Sequence, residues 1–239
     1  MLSNKGNLYI VTEALGPSLY DSVIKPRKKL ELRQVQQVAR QILVALKYFK
    51  DKGIIHCDIK PENVLYKNYT FTDVKVIDFG SSVFINDTSY CYLQTRPYRA
   101  PELIFGCDFD FAVDMWSLGC VLFEITTFAM LFNNKTLEEN IAKMFAVCKD
   151  TPLSFFEDGK AYKNLVQENL ICRSNRNSSN GYEVEVMLPK TDYTIEGVLK
   201  EHEATDELID FIKRCIVVDR TKRLTVEEAL SHSFIRQAL

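Results

Sequence analysis

HCDIKPEN, residues 56–63, brings three different polar groups together within six residues. Asp58 supplies a carboxylate, Lys60 an ammonium group and Asn63 a carboxamide. Short apolar, strand-like runs flank the stretch on both sides, and Pro61 restricts the backbone between the polar residues. Side chains that alternate along a tight loop can converge on one point. The stretch therefore predicts a chemical site on a loop between two strands.

A second carboxylate lies farther along the chain, at Asp78 of VIDFG, residues 76–80. It stands at the end of an apolar strand-like run and is followed by a glycine, which allows a sharp change of direction. Carboxylate and amide oxygens are the ligands that Mg²⁺ prefers, and a lysine can bind phosphate oxygens. Each residue alone fits an ordinary turn or a solvated surface. In this order, and between strands, the residues indicate a site for Mg²⁺ and phosphate.

Four motifs in sequence order resemble the catalytic core of protein kinases. They are HCDIKPEN, VIDFG, RAPE at residues 99–102 and VDMWSLGC at residues 113–120, and the matching extends to Arg223. The resemblance implies a mainly α fold with short β-strands, the protein-kinase-like fold, present as its C-terminal lobe plus hinge. It also implies ATP and Mg²⁺ as cofactors, with Ser or Thr of protein substrates as the phosphoryl acceptor.

The same resemblance assigns roles to the polar residues. Asp58 matches the kinase residue that positions the substrate hydroxyl and accepts its proton, and Lys60 matches the lysine that steadies the transferring phosphate. Asn63 and Asp78 match the two residues that hold Mg²⁺, whose charge offsets that of the phosphate oxygens. Glu102 and Arg223 resemble a buried ion pair that braces the substrate-binding side.

The resemblance also places the nucleotide base. Glu13, Ala14 and Leu15 match the hinge, whose backbone groups pair with the adenine edge, and Leu65 would pack beneath the ring. Thr12 would gate the pocket behind the base. Ordinary core packing is the alternative explanation for Thr12, Leu15 and Leu65.

The segment YCYLQTRPYR, residues 90–99, narrows the resemblance to the dual-specificity tyrosine-regulated kinases (DYRK) of the CMGC group. Cys57 agrees, because most kinases have arginine there, and cysteine cannot neutralise an activation-loop phosphate. Arg96 and Arg99 are close enough in sequence to clamp a phosphate on Tyr92, so we expect Tyr92 to be autophosphorylated. A HIPK-type or other CMGC kinase is the alternative, as is a buried aromatic role for Tyr92.

Composition excludes several other classes of protein. The chain has 239 residues, 46% of them hydrophobic, and a net charge of −2, which fits one folded domain and not a disordered chain. The charge argues against bulk nucleic-acid binding, and no apolar run approaches the roughly 20 residues that a membrane span needs. Seven scattered cysteines without a C-x-x-C pair predict reduced thiols in an intracellular protein, in cytoplasm or nucleus. We expect a monomer.

Hydrophobic periodicity predicts helices over 31–51, 114–126, 137–147, 205–217 and 225–231. Strands are predicted over 54–56, 64–66 and 74–77, and a buried strand over Leu8–Thr12. Residues 151–200 match the position of a CMGC-type insert, with a polar loop at 173–181. The basic cluster at residues 25–29 fits a solvated loop better than a nuclear-import signal.

The chain departs from the kinase pattern at its start. No spacing of its nine glycines gives the G-x-G-x-x-G loop, and Lys75 belongs to the strand before Asp78, so it is not the missing ATP-binding lysine. We therefore expect residues 1–15 to be the last N-lobe strand and the hinge, and the sequence to come from an incomplete reading of a longer gene. Apolar surface would then be exposed and the first strand would have an unpaired edge. The alternative is an inactive fragment that acts as a binding or scaffolding module.

Overall fold

A computed structural model describes residues 2–4, 7–69, 72–87, 93–149, 151–167, 170–171 and 193–236. Within these residues the α-helices are α1 (Leu32–Asp51), α2 (Pro101–Phe105), α3 (Ala112–Thr127), α4 (Leu137–Cys148), α5 (Tyr162–Leu165), α6 (Ile195–Glu201), α7 (Asp206–Cys215), α8 (Val226–Ser231) and α9 (Ser233–Arg236). A five-residue π-helix spans Tyr20–Ile24, and 3₁₀ turns span Pro61–Asn63, Arg96–Tyr98 and Leu153–Phe156.

The strands of the described residues are two or three residues long. They are β1 (Leu2–Asn4), β2 (Asn7–Tyr9), β3 (Ile54–Ile55), β4 (Val64–Tyr66), β5 (Val74–Val76), β6 (Val83–Phe84), β7 (Val166–Gln167) and β8 (Leu170–Ile171). They form four antiparallel pairs: β1 with β2, β3 with β6, β4 with β5, and β7 with β8. The mainly α fold with short strands is thus as predicted.

Helix α3 is the centre of the hydrophobic core. Almost all of its side chains are buried, and Trp116 stacks on Phe132 with the ring centroids 5.3 Å apart. Helix α7 crosses α3 at Gly119, where a Cβ atom would lie 2.8 Å from the Cβ of Cys215. Only glycine allows this approach, because real Cβ atoms do not come so close to one another.

Helix α1 is amphipathic, and its apolar face packs against α3, α8 and β5. The side chain of Gln34 accepts a hydrogen bond from the backbone N–H of Glu31, which satisfies a donor at the start of the helix. Gly53 adopts a positive φ of 68° just beyond the end of the helix, as expected for a glycine that stops a helix. The chain then turns directly into β3, where the HCDIKPEN loop begins.

The predicted helices over 31–51, 114–126, 137–147, 205–217 and 225–231 are confirmed as α1, α3, α4, α7 and α8. The predicted strands over 54–56, 64–66 and 74–77 are confirmed as β3, β4 and β5. The predicted loop over 173–181 lies outside the described residues. The assignment of residues 1–15 and 151–200 to kinase subregions stays a prediction.

The prediction of a buried strand over Leu8–Thr12 was wrong. Strand β2 ends at Tyr9, and the side chains of Ile10 and Val11 are 75% and 74% exposed. β2 pairs with β1 in a two-stranded sheet, so its other edge is unpaired within the described residues. Periodicity marks residues that would favour burial, but it does not supply a surface to cover them.

No helix within the described residues is both long enough and apolar enough to cross a membrane.

Candidate active site

The HCDIKPEN loop joins β3 to β4, and its backbone is hydrogen-bonded to the side chain of Asp114 in α3. The Oδ2 atom of Asp114 accepts the N–H of His56 at 2.8 Å, and Oδ1 accepts the N–H of Cys57 at 2.9 Å. Cys57 has a φ of 61°, in the left-handed region that a cysteine rarely adopts, and these hydrogen bonds support that conformation. Burial raises the pKa of Asp114, while His56 and the two N–H groups oppose that rise.

Asp58 lies at the centre of a polar network. Its Oδ2 atom accepts hydrogen bonds from Lys60 Nζ at 2.8 Å and from Asn63 Nδ2 at 2.9 Å. Its Oδ1 atom accepts the hydroxyl of Thr95 at 2.7 Å, and Lys60 Nζ also donates to Thr95 at 3.1 Å. Burial alone would raise the pKa of Asp58, but the contacts with Lys60, Thr95 and Asn63 outweigh it and lower that pKa. Asp58 is therefore an ionised base at neutral pH.

Asn63 and Asp78 lie on two adjacent segments that are hydrogen-bonded to each other. The N–H of Ile77, next to Asp78, donates to the backbone carbonyl of Asn63 at 2.9 Å. Both amide hydrogens of Asn63 Nδ2 are used, one by the backbone oxygen of Asp58 and one by its Oδ2, so the remaining hydrogen-bonding atom is Oδ1. The Asp78 carboxylate is exposed, and its Oδ1 accepts the N–H of Gly80 at 3.1 Å.

These two side chains fit a Mg²⁺ ion. An amide oxygen and an exposed carboxylate are hard oxygen donors, and Mg²⁺ in phosphate-transfer sites takes most of its other ligands from water and phosphate. The described residues contain no group of three or more His, Cys, Asp or Glu that could hold a metal ion.

The segment matched to the hinge is attached to β4. The N–H of Gly16 donates to the carbonyl of Tyr66 at 2.8 Å, and the N–H of Tyr66 donates to the carbonyl of Pro17 at 3.0 Å. These bonds join the neighbours of Leu15 and Leu65 in the chain, and both leucine side chains are half-buried. The segment matched to the hinge is thus attached to the strand that follows the HCDIKPEN loop.

Thr12 and Glu13 precede that attachment and are exposed. The Thr12 hydroxyl donates to the carbonyl of Glu13 at 3.3 Å, so core packing does not describe Thr12. The carboxylate of Glu13 forms an ion pair with Lys75 of β5. Lys75 is thus a partner of the hinge segment, which agrees with its exclusion as the missing ATP-binding lysine.

Arg96 and Arg99, the residues expected to bind a phosphate on Tyr92, belong to the described part of the chain, whereas Tyr92 itself lies outside it. Arg99 is buried, and its guanidinium donates to the carbonyls of Leu93 at 2.8 Å and Gln94 at 2.6 Å. Arg96 is exposed and donates to the carbonyl of Lys135 at 3.3 Å. The two arginines therefore have different surroundings, and their joint role as a phosphate clamp stays a prediction.

Glu102 and Arg223 form the buried ion pair predicted from the sequence. Arg223 Nη1 lies 2.6 Å from Glu102 Oε1, and Nη2 lies 3.0 Å from Oε2, a two-bond arrangement in which both side chains are fully buried. The guanidinium also lies over the ring of Trp116, 5.2 Å from its centroid. The pair connects α2 to the loop before α8 across the core.

The sequence pattern of the protein kinase domain matches residues 1–235. The chain belongs to the protein kinase family. This kinase chain is 36% identical to the serine/threonine-protein kinase ppk5 of Schizosaccharomyces pombe over 232 residues, which is 97% of the chain and 27% of that relative.

Two further relatives identify the branch of the kinase family. Human dual specificity tyrosine-phosphorylation-regulated kinase 4 is 32% identical over 98% of the chain and 44% of its own length. A probable dual specificity protein kinase YAK1 homolog of Encephalitozoon cuniculi is 32% identical over 97% of the chain and 56% of its own length. These relatives are of the DYRK and YAK1 types, which confirms the branch that the segment at residues 90–99 predicted. The chain spans from about a quarter to just over half of the relatives' length.

Sequence reasoning about this kinase missed three polar residues of the site: Asp114, Thr95 and Gln94. Gln94 is buried with a φ of 64°, and its side chain joins the segment to α3 by donating to the hydroxyl of Ser117 at 2.9 Å. For Asp114 a signal was present, namely a carboxylate inside an otherwise apolar helix. Nothing in the sequence around Thr95 and Gln94 indicates their roles beyond their position near RAPE, because those roles depend on contacts with Asp58 and Ser117, which are distant in sequence.

Proposed function

We propose that the chain is part of an ATP- and Mg²⁺-dependent protein kinase that transfers the γ-phosphoryl group to Ser or Thr of protein substrates. The observation that carries the proposal is the Asp58 carboxylate, held ionised between Lys60, Asn63 and Thr95. The names of the relatives, which include serine/threonine and dual specificity kinases, support the same reaction.

In the proposed reaction, Asp58 and Lys60 would have different roles. The Oδ2 atom of Asp58 already accepts two hydrogen bonds, whereas Oδ1 accepts that of Thr95 and has a second acceptor direction. A substrate hydroxyl can therefore donate to Oδ1 while Thr95 and Lys60 stay in place. Asp58 would orient that hydroxyl and take its proton as the phosphoryl group leaves ATP. Lys60 donates to Asp58 and to Thr95, and the third hydrogen of its ammonium group can donate to the transferring phosphate.

Asn63 Oδ1 and the Asp78 carboxylate would hold Mg²⁺, which supplies positive charge to the phosphate oxygens. On the base side, Leu15 and Leu65 would enclose the adenine ring, and the backbone of Glu13–Leu15 would pair with its edge. Both leucines are half-buried, which leaves part of each surface available to a ligand.

We further propose that Tyr92 is autophosphorylated and that Arg96 and Arg99 help to bind its phosphate. The sequence of residues 90–99 supports this, as does the place of Arg99 against Leu93 and Gln94 at the start of the described segment. Peptide mass spectrometry of the active kinase should find phosphate on Tyr92. An active kinase in which Tyr92 is unmodified would rule this step out.

Nucleotide binding and transfer can be tested separately. Mg-ATP at a large excess over its dissociation constant should raise the melting temperature by several degrees, since a ligand at about 100 times Kd adds about 2.7 kcal/mol to stability. Asp78→Asn should remove the Mg²⁺-dependent part of that shift, and Asp73→Asn, an exposed carboxylate at the other end of β5, should not. Asp58→Asn should keep the shift.

Transfer itself is measured in a longer protein that includes a kinase N-lobe, with radiolabelled ATP and a Ser/Thr peptide library. There Asp58→Asn should abolish transfer without unfolding the protein. Retained turnover in that variant would refute the role of Asp58. Absence of any Mg-ATP shift in the longer protein would favour the binding or scaffolding alternative. The monomeric state and the cytoplasmic or nuclear compartment stay predictions.

A further inference from the structure

A cavity of about 420 Å³ lies away from the HCDIKPEN loop, between the end of α1, the start of α3 and the loop that leads into α8. None of the residues to which the proposed reaction assigns a role lines it. Its volume lies within the range of small-molecule sites in proteins. The lining residues are Lys50, Asp110, Phe111, Ala112, Met115, Arg220, Thr221, Arg223, Leu224, Thr225 and Val226.

The wall of the cavity is apolar. Met115, Leu224 and Val226 belong to the hydrophobic core and are at most 3% exposed, and Phe111 packs against them from the edge. The buried Arg223 also lines the wall, but its guanidinium is used by Glu102 and by the backbone carbonyl of Ala112, so it is not available to a ligand. The wall therefore suits the apolar body of a ligand.

Two cations lie at the mouth of the cavity. Lys50 Nζ is 2.7 Å from Glu227 Oε2 and lies over the Phe111 ring, and Arg220 Nη1 is 2.8 Å from Asp110 Oδ2. Among the described residues, that contact with Asp110 is the single hydrogen bond of the Arg220 guanidinium, so its other N–H groups can bind a ligand. The four side chains of these two pairs are between 32% and 46% exposed, and ion pairs with such exposure contribute little to stability.

The lining contains three cationic residues and one acidic residue, Asp110. Glu227 and Glu102, which do not line the cavity, pair with Lys50 and Arg223. One oxygen of Asp110 binds Arg220, and its other oxygen accepts the N–H of Ala112 at 2.8 Å at the start of α3. The N–H groups of Arg220 that Asp110 leaves unused are therefore the first donors that a ligand carboxylate would meet.

We propose that this cavity binds a small organic carboxylate, with its apolar body against Met115, Leu224 and Val226 and its carboxylate between Arg220 and Lys50. The proposal uses none of the residues of the kinase reaction and does not depend on that reaction. It names the chemistry of the ligand: one negative charge on a flat or branched apolar body of about a dozen heavy atoms.

The probe is 2-naphthoate, and the readout is the methyl NMR spectrum of the protein without nucleotide. Met115, Leu224 and Val226 methyl signals should shift with a Kd of about 1 mM, as expected for a ligand of this size. The neutral analogue 2-naphthalenemethanol should bind at least about fivefold more weakly, because it lacks the charge.

Variants test the two cations. Arg220→Gln and Lys50→Gln should each weaken 2-naphthoate binding about fivefold or more, whereas Arg214→Gln, an exposed arginine outside the cavity, should change it by less than about twofold. Unchanged melting temperatures show that the variants are folded. The proposal is overturned if the three methyl signals do not move at about 5 mM probe, if the neutral analogue binds equally well, or if both cation variants bind like the unmodified protein. Activity enters none of these readouts, so failure here is distinct from failure of the kinase proposal.

Discussion

Asp114 determines the shape of the HCDIKPEN loop, although no proposed reaction step uses its carboxylate. Its two oxygens bind the N–H groups of His56 and Cys57, and Cys57 needs that support because its backbone is left-handed. Asp58, the residue proposed to accept the substrate proton, follows directly. Its placement is therefore controlled by a residue of the core.

Asp114→Asn should destabilise the chain by about 1–3 kcal/mol, because an amide nitrogen would face a buried N–H donor and leave it without an acceptor. Urea unfolding measures the loss. Asp108→Asn, an exposed carboxylate six residues earlier, is the control and should leave the midpoint almost unchanged. Equal midpoints for the two variants would contradict the anchoring role.

Glu124 gives the stability of the fold a specific dependence on pH. Burial raises the pKa of Glu124 to about 7, against the hydrogen bond from the Tyr98 hydroxyl, while the charge of Glu62 adds to the rise. The ordinary value is 4.5, so between about 4.5 and 7 the folded state binds more protons than the unfolded state. The contribution of Glu124 to stability is therefore lost as pH rises through this window.

Glu124→Gln removes that titration and keeps an acceptor for Tyr98. Between about pH 5 and about pH 7, the unfolding free energy of the unmodified chain should fall relative to that of the variant, by up to about 1.4 kcal/mol per pH unit. Urea unfolding at several pH values provides the comparison. Parallel pH profiles for the two proteins would show that Glu124 does not titrate in this range.

The buried ion pair between Glu102 and Arg223 connects α2 to the loop before α8, two segments that are far apart in sequence. Arg223→Met should cost about 3–5 kcal/mol, because it leaves the Glu102 carboxylate buried without a partner. The double variant Glu102→Leu, Arg223→Met should lose less than the sum of the single variants. Strict additivity in urea unfolding would argue against a coupled pair. Lys200→Met, which breaks an exposed pair with Glu196, is the control and should change little.

Elements with a strong internal pattern could be predicted from the sequence. The apolar spacing of α1 and the nearly continuous apolar sequence of α3 predict these two helices, and Gly53 predicts where α1 ends. The loop residues Asp58, Lys60 and Asn63 are at most five positions apart, and the structure brings them together as expected. Contacts across a long sequence separation, such as those of Asp58 with Thr95, could not be predicted, because periodicity carries no information about which segments meet.

An apolar surface lies exposed around the end of β2. Ile10 and Val11 are about three-quarters exposed and Tyr9 is 47% exposed, in agreement with the expectation of uncovered apolar surface. The unpaired edge of β2 adds backbone donors and acceptors to this region. Such a surface promotes association between copies.

The chain should therefore scatter more light as its concentration rises, and the double variant Ile10→Thr, Val11→Lys should scatter less. Its melting temperature should stay nearly the same, because exposed side chains contribute little to the core. Val44→Thr changes an apolar residue on α1 that is 53% exposed, and it serves as the control. Equal scattering by all three proteins would show that the surface near β2 does not drive association.

The hydrogen bonds of Asp114 also set an order of events during folding. They connect His56 and Cys57 to a residue that lies 58 and 57 positions later in the chain. The left-handed turn at Cys57 therefore lacks these two hydrogen bonds until α3 has packed. Closing a span of that length costs entropy that a local turn does not. The HCDIKPEN loop therefore takes its final shape late, and a refolding chain should regain its helical circular dichroism before it shows the Mg-ATP binding proposed above.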